Sequence, residues 1–195
     1  TDAGVHALGQ VANFHTGSNL SPDVIGRGLN GLLSPDVAVR SAESVPEAFH
    51  ARFDARSRCY RYCIATRRRA VGRMYAWFVP YRLNAEAMQT AAGTFVGRQC
   101  FASFCRVASE RSGYTCHVTA CSWSAHGEGL FFEITSDRFV RGMVRTMVGT
   151  LVDVGRGKIS AEAVRDIIDA RDRRASRLTA PAQGLCLMRV GYEQE

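Results

Sequence analysis

The chain has 195 residues, 46% of them hydrophobic, which is enough to bury a core in one domain or two small ones. No apolar stretch approaches the roughly 20 residues of a membrane-spanning helix, and a secretory leader is not expected. The formal charge of +7 is carried almost wholly by arginine, since Lys158 is the only lysine and the other 24 basic side chains are arginines.

Arginine presents a planar fork that suits phosphates and stacks on bases, so an Arg-rich basic domain suggests a nucleic-acid surface. The seven cysteines are odd in number and irregularly spaced, and none forms a C-x-x-C pair. Cys100/Cys105 and Cys116/Cys121, with His117 and His126 nearby, give a weak zinc signal. Free thiols in a reduced cytosol are the expected state, and with them a cytoplasmic location.

In chain order, Thr1-Asp2-Ala3-Gly4-Val5-His6-Ala7 reads as a tight loop presenting one acid, followed by a strand from Val11 to Phe14. Ser21-Pro22-Asp23 predicts a helix start, with Ile25, Leu29, Leu32 and Leu33 on one face up to Ser34-Pro35. A short strand is expected over Val37 to Arg40, then a long extended stretch from Phe49 to Ile64. Within that stretch Tyr60, Tyr62 and Ile64 share one side and Cys59, Arg61 and Cys63 the other. Arg67-Arg68-Arg69 to Arg73 is a basic loop.

Asn84 predicts a helix cap before Met88, Ala91, Ala92 and Phe95, with Gly97 closing the segment. Strands are expected at His117 to Ser124 and Leu130 to Thr135. A helix follows from about Phe139 to Val154, on which Arg138, Arg141 and Arg145 share a face. Arg145 borders that helix's apolar stripe, where an arginine needs an anionic partner. Gly155-Arg156-Gly157-Lys158 lacks phosphate-loop spacing and reads as a helix end with a basic turn. Ser160 caps a further helix, and Leu185 to Tyr192 is the last strand. Helices alternating with hairpin-like strand pairs predict an α+β fold, a mostly antiparallel sheet with helices on one face.

The opening T-D-A-G-V-H-A-x-G-Q-V resembles the catalytic motif of the TruA-type tRNA pseudouridine synthases, in which Gly-Arg precedes it. The resemblance continues through Phe49-His50-Ala51-Arg52-Phe53, Arg58-Cys59-Tyr60-Arg61-Tyr62 and Phe101-Ala102-Ser103-Phe104. It extends through Phe139-Val140-Arg141-Gly142-Met143-Val144-Arg145 and Val154-Gly155-Arg156-Gly157 to Thr179-Ala180-Pro181-Ala182-Gln183-Gly184-Leu185. It departs at Cys105, where the family often has arginine, with Arg106 one place later. It departs again at Thr115, after Arg111-Ser112, where an RNA-contacting arginine is common.

The resemblance implies that Asp2 is the nucleophile, Tyr60 stacks on the uracil, Arg145 pairs with the catalytic carboxylate, and Leu185 is an apolar neighbour of the site. It implies a homodimer that uses no metal or cofactor and modifies tRNA uridines on the 3′ side of the anticodon stem-loop. It also implies two ferredoxin-like, RNA-recognition-like halves joined around a central cleft. Residues 1–48 would be the remainder of an N-terminal half whose start precedes Thr1, and residues 49–195 the C-terminal half. The chemistry suits these residue types. A carboxylate acts as nucleophile without metal, a cation keeps it ionised, and an aromatic holds the detached base. The motif is compatible with attack at the sugar or at the base. A non-catalytic RNA-binding protein of the same fold would keep the basic surface but have no need for Asp2, Tyr60 and Arg145 together.

Overall fold

A computed structural model describes residues 1–106 and 113–192. The chain divides into two units, Thr1–Gln10 with Ala55–Glu195, and Val11–Asp54. The first unit carries a mixed, mostly antiparallel sheet of seven strands. In chain order these are β1 (His6–Ala7), β2 (Ser57–Ala65), β3 (Trp77–Phe78), β4 (Gly97–Cys100), β5 (Thr115–His126), β6 (Gly129–Ser136) and β7 (Leu185–Gly191). Their spatial order is β1-β7-β2-β6-β5-β4, with β3 pairing to β2. The β1–β7 and β2–β3 pairs are parallel and the rest antiparallel.

Side-chain alternation along β2 follows the two-residue period. Tyr62 and Ile64 are fully buried and share one core with Phe132 and Ile134 of β6. To that core α2 (Ala85–Gly93) contributes Met88, Ala91 and Ala92. The helices α3 (Met143–Gly155) and α4 (Ala163–Ala170) add Met147, Val148, Leu151, Val164 and Ile168. Cys63 and Ala65, pointing the other way, belong to a separate small cluster with Ala76 and Phe131. Asn84 caps α2 as its sequence predicts, its side chain accepting from Ala87 N at 3.0 Å. All seven cysteines are free thiols. Among the described residues no three His, Cys, Asp or Glu side chains stand together as a metal site. No helix among them is long and apolar enough to cross a membrane.

The expected helix from Phe139 starts only at Met143. Gly142, at the N-cap, takes φ +75°, a left-handed conformation that ends any helix running through it. Arg138 and Arg141 therefore precede α3 and share no helical face with Arg145. Arg138 instead donates to the carbonyls of Gly113 (3.0 Å) and Thr115 (3.4 Å).

The unit Val11–Asp54 contains α1 (Pro22–Leu32), which begins with Pro at its first position as predicted. The strands expected at Val11 to Phe14 and Val37 to Arg40 do not form. A side-chain amide takes the place of a ladder partner for Val39, and the Asn13 amide of the first segment serves the backbone of Phe49 and Ala51. Asn13 donates to Phe49 O (3.2 Å) and accepts from Ala51 N (2.9 Å). Asn30 donates to Val39 O (2.9 Å) and accepts from Val39 N (2.7 Å). The long extended stretch likewise shortens. His50 N donates to the Asp54 carboxylate (2.8 Å) and Asp54 N to His50 O (3.0 Å), closing a turn, so that β2 begins only at Ser57.

Candidate active site

The half-buried Asp2 sits on a turn closed by Val5 N donating to Asp2 O at 3.1 Å. Gly4 adopts φ +77° in that turn, and a Cβ there would also lie 3.3 Å from the Ala182 methyl, so the position suits glycine twice over. Immediately after the turn, β1 pairs with Cys186 and Leu187 of β7. Leu8 N then donates to Leu187 O at 2.8 Å. Gly9 passes so close to β7 that a Cβ would stand 2.5 Å from Met188 O. The acid is thus offered on a short loop fixed at its exit to the sheet.

Tyr60 lies on β2 between Ile134 of β6 and Leu187 of β7. The β2–β7 register steps at Cys59/Tyr60, from Arg189 to Leu187, which leaves Met188 as an extra residue in β7. Such a bulge re-aims side chains locally. Phe139 meets the Tyr60 ring edge-on, with centroids 5.2 Å apart and planes at 88°. Burial pushes the Tyr60 hydroxyl above the ordinary tyrosine range; the Arg58 charge opposes this and the Asp2 charge adds to it. The Asp2 carboxylate and the Tyr60 hydroxyl are therefore electrostatic neighbours.

Arg145 occupies the first turn of α3, and its Nε donates to Ala180 O at 2.8 Å. Ala180 N returns a hydrogen bond to Arg145 O at 2.9 Å. Burial lowers the Arg145 pKa, and the neighbouring Arg106 charge lowers it further, against the raising effects of Asp2 and Tyr62. The Asp2 charge thus reaches Arg145, although among the described residues the two close no direct ion pair. Leu185 opens β7 opposite Tyr62, is 6% exposed, and lies in the core that Tyr60 packs against.

The segment Ala180–Leu185 ties these parts together. Besides gripping Arg145, it accepts the Tyr62 hydroxyl on Pro181 O at 2.8 Å. Gly184 lets the Tyr62 ring approach, since a Cβ there would lie 2.5 Å from Tyr62 Cζ. Gly149 of α3 does the same on the other flank, where a Cβ would stand 2.2 Å from Leu178 O. Helix, central strand and acid-bearing turn therefore all meet one short segment. The turn that carries Asp2, Tyr62 of β2 and Arg145 meet there, and Tyr60 stands two residues before Tyr62 on the same strand.

Arg58 and Phe139 escaped the sequence-based site. Arg58 donates to Ala55 O (2.8 Å) and Asp137 O (2.6 Å) behind Tyr60. Its place in Arg58-Cys59-Tyr60-Arg61-Tyr62 was the one signal available. Gly155-Arg156-Gly157-Lys158 forms the helix end expected of it: Gly157 takes φ +70°, Lys158 N donates to Asp153 O (2.9 Å), and Arg156 lies 3.8 Å over Tyr81. Arg111 and Ser112, which bear on the Thr115 departure, lie outside the described residues.

Comparison with known proteins follows the same line. A family model described as tRNA pseudouridine synthase matches residues 91–193. The chain is 42% identical over 194 residues to tRNA pseudouridine synthase A of Geotalea uraniireducens, covering 98% of this chain and 80% of that protein. It is 40% identical over 195 residues to the Bacillus subtilis protein of the same name, covering 99% of this chain and 79% of that protein. The Geotalea daltonii protein, also of that name, is 43% identical over 198 residues, with 98% of this chain and 80% of that protein covered. At such identity over nearly all its length, the chain belongs to the tRNA pseudouridine synthase A family.

Proposed function

We propose that Asp2, Tyr60 and Arg145 are the residues with which this isomerase turns uridine into pseudouridine in tRNA, acting on the 3′ side of the anticodon stem-loop. The reaction breaks the N1–C1′ glycosidic bond, forms a C5–C1′ bond, releases the C5 proton and protonates N1, so its product is an isomer. Asp2 supplies the nucleophile, as a carboxylate can without a metal. Tyr60 stacks on the uracil and keeps the detached ring in place while it turns. Arg145 sets a fixed positive charge near the carboxylate, and Leu185 lines the floor beneath. The uridine is flipped out of its stack to reach Asp2, held by arginines along the RNA backbone.

The observation that carries this reading is the Ala180–Leu185 segment, which holds Arg145, meets the Asp2 turn at Ala182 and receives Tyr62, the same-face neighbour of Tyr60 on β2. Two ferredoxin-like halves (1–48 and 49–195), a homodimer, catalysis without a cofactor and a cytoplasmic location complete the proposal. The test is tritium release from tRNA labelled at uracil C5, followed by mapping of pseudouridine along the product. Release with modification confined to the anticodon arm supports the reading, and modification elsewhere overturns the assignment of substrate region.

A further inference from the structure

Arg106 has no role in the reaction described above, yet the fold holds it in place with some care. It follows the buried Cys105, and its backbone N–H donates to Arg141 O at 2.9 Å. Its side-chain stem lies across Gly142, where a Cβ would stand 2.4 Å from both Cγ and Cδ of Arg106. Gly142 is the N-cap of α3 and Arg145 is in the first turn, so the Arg106 stem and Arg145 lie at one helix end. The Arg106 charge reaches Arg145 and depresses its pKa. Among the described residues Asp2 is the carboxylate whose charge registers on Arg145. Among the described residues no carboxylate pairs with Arg106.

Two neighbouring cations, with one carboxylate whose charge reaches Arg145, leave a net positive charge at this helix end. Like charges set this close repel unless an anion joins them, and the guanidinium fork matches two oxygens of a phosphate. The substrate RNA brings that anion in every linkage.

We infer that Arg106 and Arg145 together hold a phosphodiester of the substrate RNA beside the uridine that Asp2 attacks, with Gly142 making room for the Arg106 stem. The inference rests on the reading of Asp2, Tyr60 and Arg145 as the active site. Arg106 is a substrate-binding residue in this account, so its loss weakens binding and leaves the chemical step largely intact.

The test uses tRNA and an anticodon stem-loop RNA, native or carrying one neutral methylphosphonate at a linkage flanking the target uridine. Arg106→Ala is expected to raise KM about tenfold with kcat within about threefold, as for loss of one charge-assisted contact. The salt dependence of binding should become shallower by about one counterion. Arg106→Lys should recover part of the loss. On the methylphosphonate RNA the wild-type protein should lose about as much as Arg106→Ala loses on native RNA, and the variant should lose little more. Fully additive losses, or an unchanged salt slope, would overturn the inference. Absence of tritium release from the wild-type protein would overturn the reading of the site itself, which is a separate outcome.

Discussion

Arg145 and Ala180 hold each other twice, side chain to carbonyl at 2.8 Å and amide to carbonyl at 2.9 Å. The first of these bonds uses one guanidinium nitrogen and orients the rest of the fork. A lysine would keep the charge but, as a flexible point donor, could not hold Ala180 and face the site in one fixed geometry. Arg145→Lys should therefore lower kcat about 100-fold, the cost of misplacing a catalytic group by about an ångström. Binding of tRNA, followed by filter retention, should change only a few-fold. Wild-type kcat in the variant would show that charge alone suffices.

Tyr60 separates stacking from proton transfer. Phe in its place keeps the ring and its edge contact with Phe139, whereas Leu removes both. An aromatic contact is worth about 0.5–1.5 kcal/mol beyond its buried area, so Leu should be slower than Phe by roughly three- to tenfold. Single-turnover rates with both variants decide the matter. Equal and complete inactivity of the two would assign the essential role to the hydroxyl.

The sequence made the components of this site legible but not their assembly. Tyr60 and Tyr62 were readable as one face of a strand because the two-residue period is strict. Nothing local told the half-buried Tyr60 from the buried Tyr62, since that depends on the Met188 bulge and on Pro181, more than 100 positions away. The start of α3 was misplaced because the apolar stripe runs smoothly through 139–142, while the left-handed Gly142 is decided by the Arg106 stem packed over it. The strands expected in 11–40 failed for a similar reason. Short apolar runs suggested ladders, but Val39 pairs with the Asn30 amide, and Asn13 turns its amide to Phe49 and Ala51. Long-range partners decided each case, and a single sequence does not display them.

Titration provides a third check. Burial raises the pKa of Tyr60 and, more strongly, of Tyr62, above the value of about 10 for a free tyrosine. Each group therefore favours the fold in its neutral form. That stability is fully present below pH 10, the unfolded value, and is lost as pH climbs from there toward the folded pKa. Tyr60→Phe and Tyr62→Phe should each remove phenolate absorbance that the native protein shows only above about pH 10. Each should also flatten the fall of melting temperature with pH in that range. Phenolate absorbance lost from the range below pH 9 would contradict the burial argument.

Gly149 probes the support behind Arg145. Alanine at an open helical position normally stabilises by about 0.5–1 kcal/mol. At Gly149 the new methyl would meet the Leu178 carbonyl carbon at 2.7 Å as well as its oxygen at 2.2 Å. Backbone gives way less readily than a side-chain tip, so Gly149→Ala should cost about 1–3 kcal/mol, as overpacking does. By calorimetry this is a fall of several degrees in melting temperature, since about 1 kcal/mol moves a domain of this size by 2–4 °C. Gly28→Ala on α1, with nothing within 4 Å of the added Cβ, is the control and should be neutral or stabilising. A stabilised Gly149→Ala would mean that α3 and the segment through Leu178 can separate without penalty.

Asp2 is the proposed nucleophile, and the turn that presents it predicts what its replacement will do. Thr1, Ala3 and Gly4 are small, and the turn is closed by backbone, from Val5 N to Asp2 O, so the Asp2 side chain is not needed to build it. Asn has the same shape and removes only the charge and the nucleophilic oxygen. Asp2→Asn should therefore fold normally and bind tRNA at least as tightly as wild type, because removing a negative charge from a basic surface favours an anionic ligand. It should release no tritium from tRNA labelled at uracil C5, a loss of more than about 1,000-fold, as expected when a catalytic nucleophile is deleted. Binding and release measured on one preparation separate the two effects. Release at the wild-type rate would remove Asp2 from the mechanism and leave Tyr60 and Arg145 as a binding site only.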